Sequence, residues 1–132
     1  MIKATRNQLG NCKNSYQTNT KRVLCICSAG LLRSPTAANT LHAAYGYNTR
    51  AAGSCEDFAL IPVTEALLYW ADEVVFVNLD NFHDMDAEQR NILSRRDVFV
   101  LNLPDEFCWN EDGLKQEILS QYAKAKPFTI DC

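Results

Sequence analysis

The sequence predicts an α/β fold, in which a four-stranded parallel sheet carries helices on both faces. Short apolar runs alternate along the chain with amphipathic stretches, as in a succession of strand–helix–strand units. The first run, Val23 to Ile26, is apolar at every position, which favours a strand buried on both faces. A length of 132 residues fits one domain with one hydrophobic core.

The first helix has the clearest predicted boundaries. Ser34 suits the N-cap and Pro35 the first helical position, where its missing N–H is no loss. Apolar residues recur at helical spacing up to Tyr45, and Gly46 is a natural C-terminal stop. A tight loop, which begins at Cys27, therefore joins the first strand to this helix.

The remaining elements follow in alternation. Strands are predicted at 49–54, 73–77 and 97–101, and helices at 62–70, 79–93 and 111–126. The side chains expected to face the core are Ala66, Leu67 and Trp70 in the second helix, Phe82, Met85 and Ile92 in the third, and Leu114, Ile118, Leu119 and Tyr122 in the fourth. Ligands bind beyond the carboxyl ends of parallel strands, so the loops after the first and fourth strands are expected to open on one edge.

Composition excludes several classes of function. A formal net charge of −3 argues against a general nucleic-acid surface. No apolar run approaches the length of a membrane span and the polar N-terminus has no signal-peptide core, so we expect no membrane contact and a cytoplasmic location. Residues 1–21 are expected to form a polar extension, disordered or loosely packed, before a folded domain of residues 22–132.

The six cysteines do not have the spacing of a zinc site, and the chain is not a small secreted scaffold. We predict a site without metal or cofactor. Cys25 is expected to be a small buried hydrophobe, whereas Cys27 is expected to leave the strand and enter the loop. A disulfide between these two cysteines would need a strained ring.

The loop from Cys27 to Arg33 carries the residue types of a phosphate site. A strand, a small-residue loop and a helix N-terminus form an anion cradle, because N–H groups converge there and the helix dipole adds positive charge. Cys27 is expected to be a thiolate, favoured by that charge and by Arg33, whose guanidinium can hold two phosphoryl oxygens. The pattern predicts phosphoryl transfer through a phosphocysteine. The backbone groups expected to bind phosphate belong to Ser28, Ala29, Gly30, Leu31, Leu32 and Arg33.

This stretch resembles a known family. The pattern Cys-x5-Arg-Ser-Pro, from Cys27 to Pro35, is similar to the low-molecular-weight protein tyrosine phosphatases, in particular their shorter bacterial-type relatives. The segments 51–54 and 70–72 resemble that family's Ser-Ala-Gly-Thr stretch and its Trp-Ala-Asp before an apolar strand. The resemblance starts near Lys21 and implies a low-molecular-weight phosphatase-like, flavodoxin-like three-layer sandwich. It also implies that the Ser34 hydroxyl donates to the catalytic sulfur.

Such a reaction needs a general acid, because an alkoxide or phenoxide leaves poorly without a proton. The carboxylates beyond the fourth strand are Asp105, Glu106, Glu111 and Asp112. The family carries an Asp-Pro and two aromatics in this loop, which Asp105 to Trp109 matches best, although Glu106 replaces the proline. Asp105 is therefore the predicted acid. Asp112 is its rival, although an acidic residue at a helix N-terminus is stabilising without catalysis.

Aromatic residues in the loops are candidates for the rim of the site. Phe107 and Trp109 would wall a slot that fits a phenyl phosphate better than an alkyl phosphate, as the family's loop aromatics do. Phe58, in the loop after the second strand, could flank an aromatic substrate. Each of these residues has an alternative role in packing the fold.

Three positions depart from the family pattern. Gly30 replaces the usual loop asparagine and Ala51 replaces the serine before Ala-Gly, which removes a polar network and predicts a more mobile loop. Leu32 stands where many relatives have a second cysteine. Oxidation of Cys27 is therefore expected to begin as sulfenic acid.

The main functional hypothesis is a protein tyrosine phosphatase that acts on phosphotyrosine or small aryl phosphate monoesters, with inorganic phosphate as product inhibitor. One alternative is a thiol-coupled arsenate reductase, which needs resolving cysteines. None follows the third strand until Cys108, in the predicted acid loop. The other alternative is a non-catalytic module that binds phosphate or a phosphopeptide, which has no need of a thiolate.

Overall fold

The computed structural model describes residues 21–27, 33–54, 61–103 and 111–130, with the side chains of residues 33 and 111 excepted. Strands and helices alternate along most of this length, as the sequence predicts. In chain order the elements are β1 (Arg22–Cys27), α1 (Arg33–Tyr45), β2 (Asn48–Gly53), α2 (Glu65–Trp70), β3 (Glu73–Phe76), α3 (Leu79–His83), α4 (Ala87–Leu93), β4 (Asp97–Val100) and α5 (Glu111–Lys124).

The four strands form one sheet in the order β2-β1-β3-β4. Every strand pair is parallel, with Cys27 opposite Gly53 at the end of β1 and Ile26 opposite Phe76 on the other side. Helices cover both faces, which confirms the predicted fold class. The central strands β1 and β3 are buried almost throughout, with Arg22 the exception, because helices cover both faces of the sheet. The edge strands β2 and β4 are partly exposed.

Side chains of β1 alternate between two hydrophobic clusters, one on each face of the sheet. Cys25 and Cys27 lie in the cluster that α1 and α5 cover, whose other members include Ala37, Ala38, Leu41, Leu114 and Ile118. Leu24 and Ile26 lie in the opposite cluster, where α2, α3 and α4 contribute Leu68, Phe82, Ile92 and Leu93. The small alanines of α1 let that helix approach the sheet closely. Gly46 ends α1 with a positive φ of 74°, as predicted.

The stretch predicted as one helix over 79–93 is two helices, α3 and α4. Asp86 caps α4 through a capping box with Gln89, in which each side chain accepts a hydrogen bond from the other residue's backbone N–H. This cap starts a new helix where the prediction continued the old one. The predicted inward anchors Phe82, Met85 and Ile92 are buried, and His83 is exposed.

The second helix begins later than predicted. Thr64 is its N-cap and accepts from the Leu67 N–H, while Pro62 pairs with Gly53 as an isolated bridge beside β2. The predicted inward residue Ala66 is exposed, and Leu68 is the buried side chain of α2. Because α2 has fewer than two turns, its apolar residues are too few to predict which face of the helix is buried.

Lys21, at the predicted boundary of the extension, lies against the folded domain. Its carbonyl accepts from the Asn48 N–H at 2.9 Å, and its ammonium lies 3.2 Å from a carboxylate oxygen of Glu73. Residues 1–20 lie outside the described part, so the division into extension and domain stays a prediction. Among the described residues, no helix combines the length and apolarity that crossing a membrane requires.

Candidate functional site

Strand β1 continues through Cys27 and places it at the carboxyl edge of the sheet. The expectation that Cys27 leaves the strand is therefore wrong, because its pairing with Gly53 of β2 extends the ladder by one residue. Cys25 and Cys27 consequently face the same side of the sheet, with Cys25 wholly buried, as expected of a small hydrophobe. Cys27 is 3% exposed, which keeps its sulfur out of bulk solvent.

Ser34 lies directly beside the sulfur of Cys27. Helix α1 begins at Arg33, one residue before the predicted N-cap, so Ser34 occupies the first helical turn. Its side chain is fully buried, with Oγ 3.1 Å from Cys27 Sγ and 3.3 Å from the carbonyl oxygen of Ala52. The structure thus brings together the predicted nucleophile and the predicted donor, from the end of β1 and the start of α1.

The Ser34 hydroxyl has two neighbours to which its single proton can be donated, Cys27 Sγ and the Ala52 carbonyl. A hydroxyl has one proton to donate, and that proton turns to suit its surroundings. With Cys27 as a thiol, S–H can donate to Ser34 Oγ while the hydroxyl donates to the Ala52 carbonyl. With Cys27 as a thiolate, the hydroxyl can turn and donate to sulfur, so the pair suits both protonation states of Cys27.

The end of β2 adds a polar network that the sequence reasoning missed. The Ser54 N–H donates to the Cys27 carbonyl at 2.7 Å. Its hydroxyl donates to Oδ2 of Asp84 at 2.7 Å and accepts from the amide of Asn81 at 3.3 Å. Asp84 is 30 residues away in sequence, so no local pattern could have revealed the contact. We name Ser54, Asn81 and Asp84 the Ser54 network.

Several predicted site residues lie outside the described part of the chain. They are Ser28, Ala29, Gly30, Leu31 and Leu32 of the phosphate loop, Phe58, the predicted acid Asp105, and Phe107 and Trp109. Arg33 opens α1, and its side chain is likewise outside. Asp112 is exposed in the first turn of α5, where a carboxylate stabilises the helix N-terminus. The roles assigned to all these residues stay predictions.

A second polar cluster lies at the amino edge of the sheet, opposite the site. Glu73 is 2% exposed and accepts from the Tyr122 hydroxyl at 2.7 Å and from Lys21 at 3.2 Å. Burial and the hydrogen bond to Glu73 raise the pKa of Tyr122 above its ordinary value. Burial alone would lower the pKa of Lys21, but the charge of Glu73, the hydrogen bond to it and the nearby Tyr47 and Asp97 together outweigh burial and raise that pKa.

Comparisons with known proteins find matches among solved structures. No family model matches the sequence, and no curated protein sequence matches it significantly. A low-molecular-weight phosphotyrosine phosphatase from Vibrio cholerae O395 superposes with a TM-score of 0.50 at 16% identity, over 75% of this chain and 88% of that chain. The arginine phosphatase YwlE, solved as a cysteine-to-serine variant with a phosphorylated active-site serine, gives 0.56 at 20% identity, over 78% and 93%.

A thioredoxin-dependent arsenate reductase from Corynebacterium glutamicum also has a TM-score of 0.56, at 16% identity. That match covers 90% of this chain and 65% of the reductase. Identities this low establish a shared fold and nothing finer. The predicted resemblance is confirmed at that level: the chain has the fold of the low-molecular-weight phosphotyrosine phosphatases.

Proposed function

We propose that the chain is a cysteine-dependent phosphatase that hydrolyses phosphotyrosine or related aryl phosphate monoesters through a phosphocysteine. The observation that carries the proposal is the 3.1 Å contact between Cys27 Sγ and Ser34 Oγ. It lies at the carboxyl edge of a parallel sheet and at the N-terminal turn of α1, where an anion is favoured. A purely structural cysteine needs no hydroxyl partner at that position.

In the first step, the Cys27 thiolate attacks phosphorus in line with the leaving oxygen. The S–P bond forms as the P–O ester bond breaks, and Asp105 gives its proton to the departing phenolate. Arg33 and the backbone N–H groups of residues 28–33 hold the three equatorial oxygens, on which charge is spread in the transition state. The products of this step are the free phenol, the phosphocysteine and an ionised Asp105.

In the second step, water attacks the phosphocysteine. Asp105 accepts a proton from that water as the P–O bond forms, and the S–P bond breaks to release phosphate and a thiolate. The Ser34 hydroxyl donates to sulfur as negative charge returns to it. Donation lowers the energy of the thiolate as a leaving group, so Ser34 assists most in this hydrolysis step. Inorganic phosphate, which fits the same cradle, is expected to inhibit as product.

The substrate class rests on the predicted aromatic walls, Phe107 and Trp109, which suit a flat aryl group. One structural neighbour is described as an arginine phosphatase, so a phosphoarginine substrate belongs in the same assay as phosphotyrosine. The proposed aryl specificity requires a higher kcat/KM on phosphotyrosine. We also propose the cytoplasm as the location of the protein.

A thiol-coupled arsenate reductase is the second candidate, favoured by the likeness to the Corynebacterium glutamicum enzyme. Reduction of arsenate by Cys27 would need a second thiol, which attacks the Cys27 sulfur of a thiol–arsenate adduct. The S–As bond then breaks, arsenite leaves, and the two thiols are oxidised to a disulfide. Cys108 is the candidate, and it lies outside the described residues. Cys108→Ser should abolish reduction with a thiol reductant if Cys108 resolves, and should leave phosphatase turnover nearly unchanged.

The first test is hydrolysis of para-nitrophenyl phosphate with a chelator present, from acidic to neutral pH. Cys27→Ser is expected to lose turnover, and Asp105→Asn to lower kcat by about 100-fold. Cys25→Ala is the matched control, because Cys25 is a buried thiol on the same face of β1, and it should keep wild-type kcat.

Turnover that survives Cys27→Ser would refute the proposed mechanism. A loss in Asp112→Asn but not in Asp105→Asn would move the acid to Asp112. Wild-type protein that binds phosphate without turnover would instead support the reductase or the non-catalytic binding module, and an arsenate reduction assay would separate those two.

A further inference from the structure

The Ser54 network holds the backbone of the proposed nucleophile from the side opposite α1. The Cys27 carbonyl is the last backbone acceptor of β1 before the phosphate loop, and the Ser54 N–H donates to it at 2.7 Å. Ser54 itself lies one residue past β2, whose last residue, Gly53, also exchanges backbone hydrogen bonds with Ile61 and Val63. Contacts that hold Ser54 in position therefore also hold the Cys27 carbonyl, where the chain leaves β1.

The side chain of Ser54 is fixed by two hydrogen bonds to α3 and its C-cap. Its hydroxyl donates to the Asp84 carboxylate at 2.7 Å, the short distance of a charge-assisted bond. The same oxygen accepts from the Asn81 amide, which is itself buried. Donation from Asn81 polarises the hydroxyl and strengthens its bond to Asp84, so the two contacts act together. Ser54 is 8% exposed, so its polar groups depend on these partners.

The end of β2 thus determines two distances at Cys27. Ala52 offers its carbonyl to the Ser34 hydroxyl at 3.3 Å, and Ser54 holds the Cys27 carbonyl. The backbone of Cys27 and the hydroxyl beside its sulfur are therefore both held by residues at the carboxyl end of β2, Ser54 and Ala52. A shift of that strand end relative to α3 would change the 3.1 Å separation of Cys27 Sγ and Ser34 Oγ.

We propose that Ser54, held by Asp84 and Asn81, is a positioning residue for Cys27. The inference rests on the proposed function, since the expected loss of turnover requires that Cys27 attack phosphorus. The alternative is that the hydrogen bond from Ser54 to Asp84 only stabilises the packing of α3 against the end of β2. A purely structural role would change the fraction of folded protein and leave the reactivity of each folded molecule unchanged. A positioning role would change the reactivity of Cys27 itself.

The test compares Ser54→Ala and Asp84→Ala with the control Thr49→Val. Thr49 lies near the start of β2, far from the carboxyl edge. Its hydroxyl donates a buried hydrogen bond of 2.9 Å to the Ala38 carbonyl. The readouts are kcat, KM, the inhibition constant of phosphate and the rate at which iodoacetate alkylates Cys27. Urea unfolding confirms that each variant is folded under assay conditions.

Positioning predicts that Ser54→Ala lowers kcat about tenfold, with the inhibition constant of phosphate nearly unchanged, because misplaced nucleophiles lose rate more than binding. Alkylation of Cys27 slows in parallel. Asp84→Ala has a smaller effect, since the Asn81 bond survives, and Ser54→Thr restores most of kcat by restoring the hydroxyl. Thr49→Val keeps the wild-type values.

Ser54→Ala with wild-type kcat and alkylation rate, or with losses equal to those of Thr49→Val, would overturn the positioning role. Alkylation is measured directly on Cys27 by peptide mass spectrometry, so the alkylation rates test the positioning role even if the protein shows no turnover. If Cys27 proves dispensable for turnover, the proposed function fails, and the alkylation rates still report whether Ser54 positions the sulfur.

Discussion

The two edges of the sheet bury polar side chains of different kinds. At the carboxyl edge, Ser34 and Ser54 are small, and their hydroxyl groups contact Cys27 or hold the strand end beside it. At the amino edge, Glu73 is a buried carboxylate that accepts from Lys21 and Tyr122. In the proposed mechanism, the first group surrounds a sulfur that is phosphorylated and then released as a thiolate. The second supplies hydrogen-bond donors to one buried carboxylate.

This difference implies that substitutions at one edge of the sheet affect activity and substitutions at the other edge affect stability. A hydroxyl that turns between two acceptors contributes little net free energy to folding, yet it can stabilise charge that develops on sulfur. A buried carboxylate contributes through partners that cannot be lost without leaving a charge unpaired. Substitutions at the carboxyl edge should lower turnover, and those at the amino edge should lower the free energy of unfolding.

Among the substitutions that compare the two edges, Ser34→Ala is expected to have the largest effect. Removing the donor beside sulfur should lower kcat about 100-fold, as the loss of one transition-state hydrogen bond does elsewhere. The loss should be greatest in phosphocysteine hydrolysis, so a burst of phenol release should precede a slow steady state in rapid-mixing kinetics. Urea unfolding should change little. A variant that loses stability but keeps kcat would reverse the assignment of this edge.

Glu73→Ala tests the opposite edge. It removes the acceptor of the Tyr122 hydroxyl and the partner of Lys21, whose side chain is 40% exposed and can turn to water. Breaking a buried pair costs about 3–5 kcal/mol, and the access of Lys21 to solvent reduces the expected loss to about 2 kcal/mol. Urea unfolding measures it, while kcat of the folded variant should match wild type. A fall in kcat comparable to that of Ser34→Ala would show that the edges are coupled.

Tyr122→Phe sharpens the same comparison, since it leaves the carboxylate and removes the 2.7 Å hydrogen bond to Glu73 together with a longer, 3.4 Å contact with the Tyr47 hydroxyl. The expected loss is about 1.5 kcal/mol, typical of a hydrogen bond to a charged group. The raised pKa of Tyr122 stabilises the folded chain below the ordinary tyrosine value of 10.0, and this contribution is lost as the pH rises above it. The variant should therefore show a weaker loss of stability at alkaline pH. A double-mutant cycle with Glu73→Ala measures the coupling.

One contact of the carboxyl edge could be predicted, because the family resemblance implies that Ser34 donates to the sulfur of Cys27. The two residues are only seven apart in sequence, at the end of β1 and the start of α1. The end of α1 was likewise predicted from a local signal, the glycine at position 46. The continuation of β1 through Cys27 was missed, because it depends on pairing with Gly53, which only the folded sheet supplies.

The amino edge could not be predicted in this way. Glu73 reads as the start of an apolar strand, and its partners lie 52 and 49 residues away, on segments that only tertiary packing brings together. Ser54 and Asp84 escaped prediction for the same reason. The break before α4 is different, since the Asp86 to Gln89 spacing is a local capping signal that an amphipathic pattern across 79–93 obscured.

The smallest effect is expected for Asp72→Asn, an exposed counterpart of Glu73 at the same edge. Burial alone would raise the pKa of Asp72, but hydrogen bonds from the side chain and N–H of Arg22 outweigh it and lower that pKa. The contribution is present above the ordinary value of 3.8 and is lost as the pH falls through the lowered one. Both side chains are nearly half exposed, so the free energy of unfolding at pH 7 should fall by about 0.5 kcal/mol or less. Arg22→Met removes the guanidinium but keeps the N–H bond, so it should retain part of the acid dependence. Losses as large as those of Glu73→Ala would mean that burial does not distinguish these carboxylates.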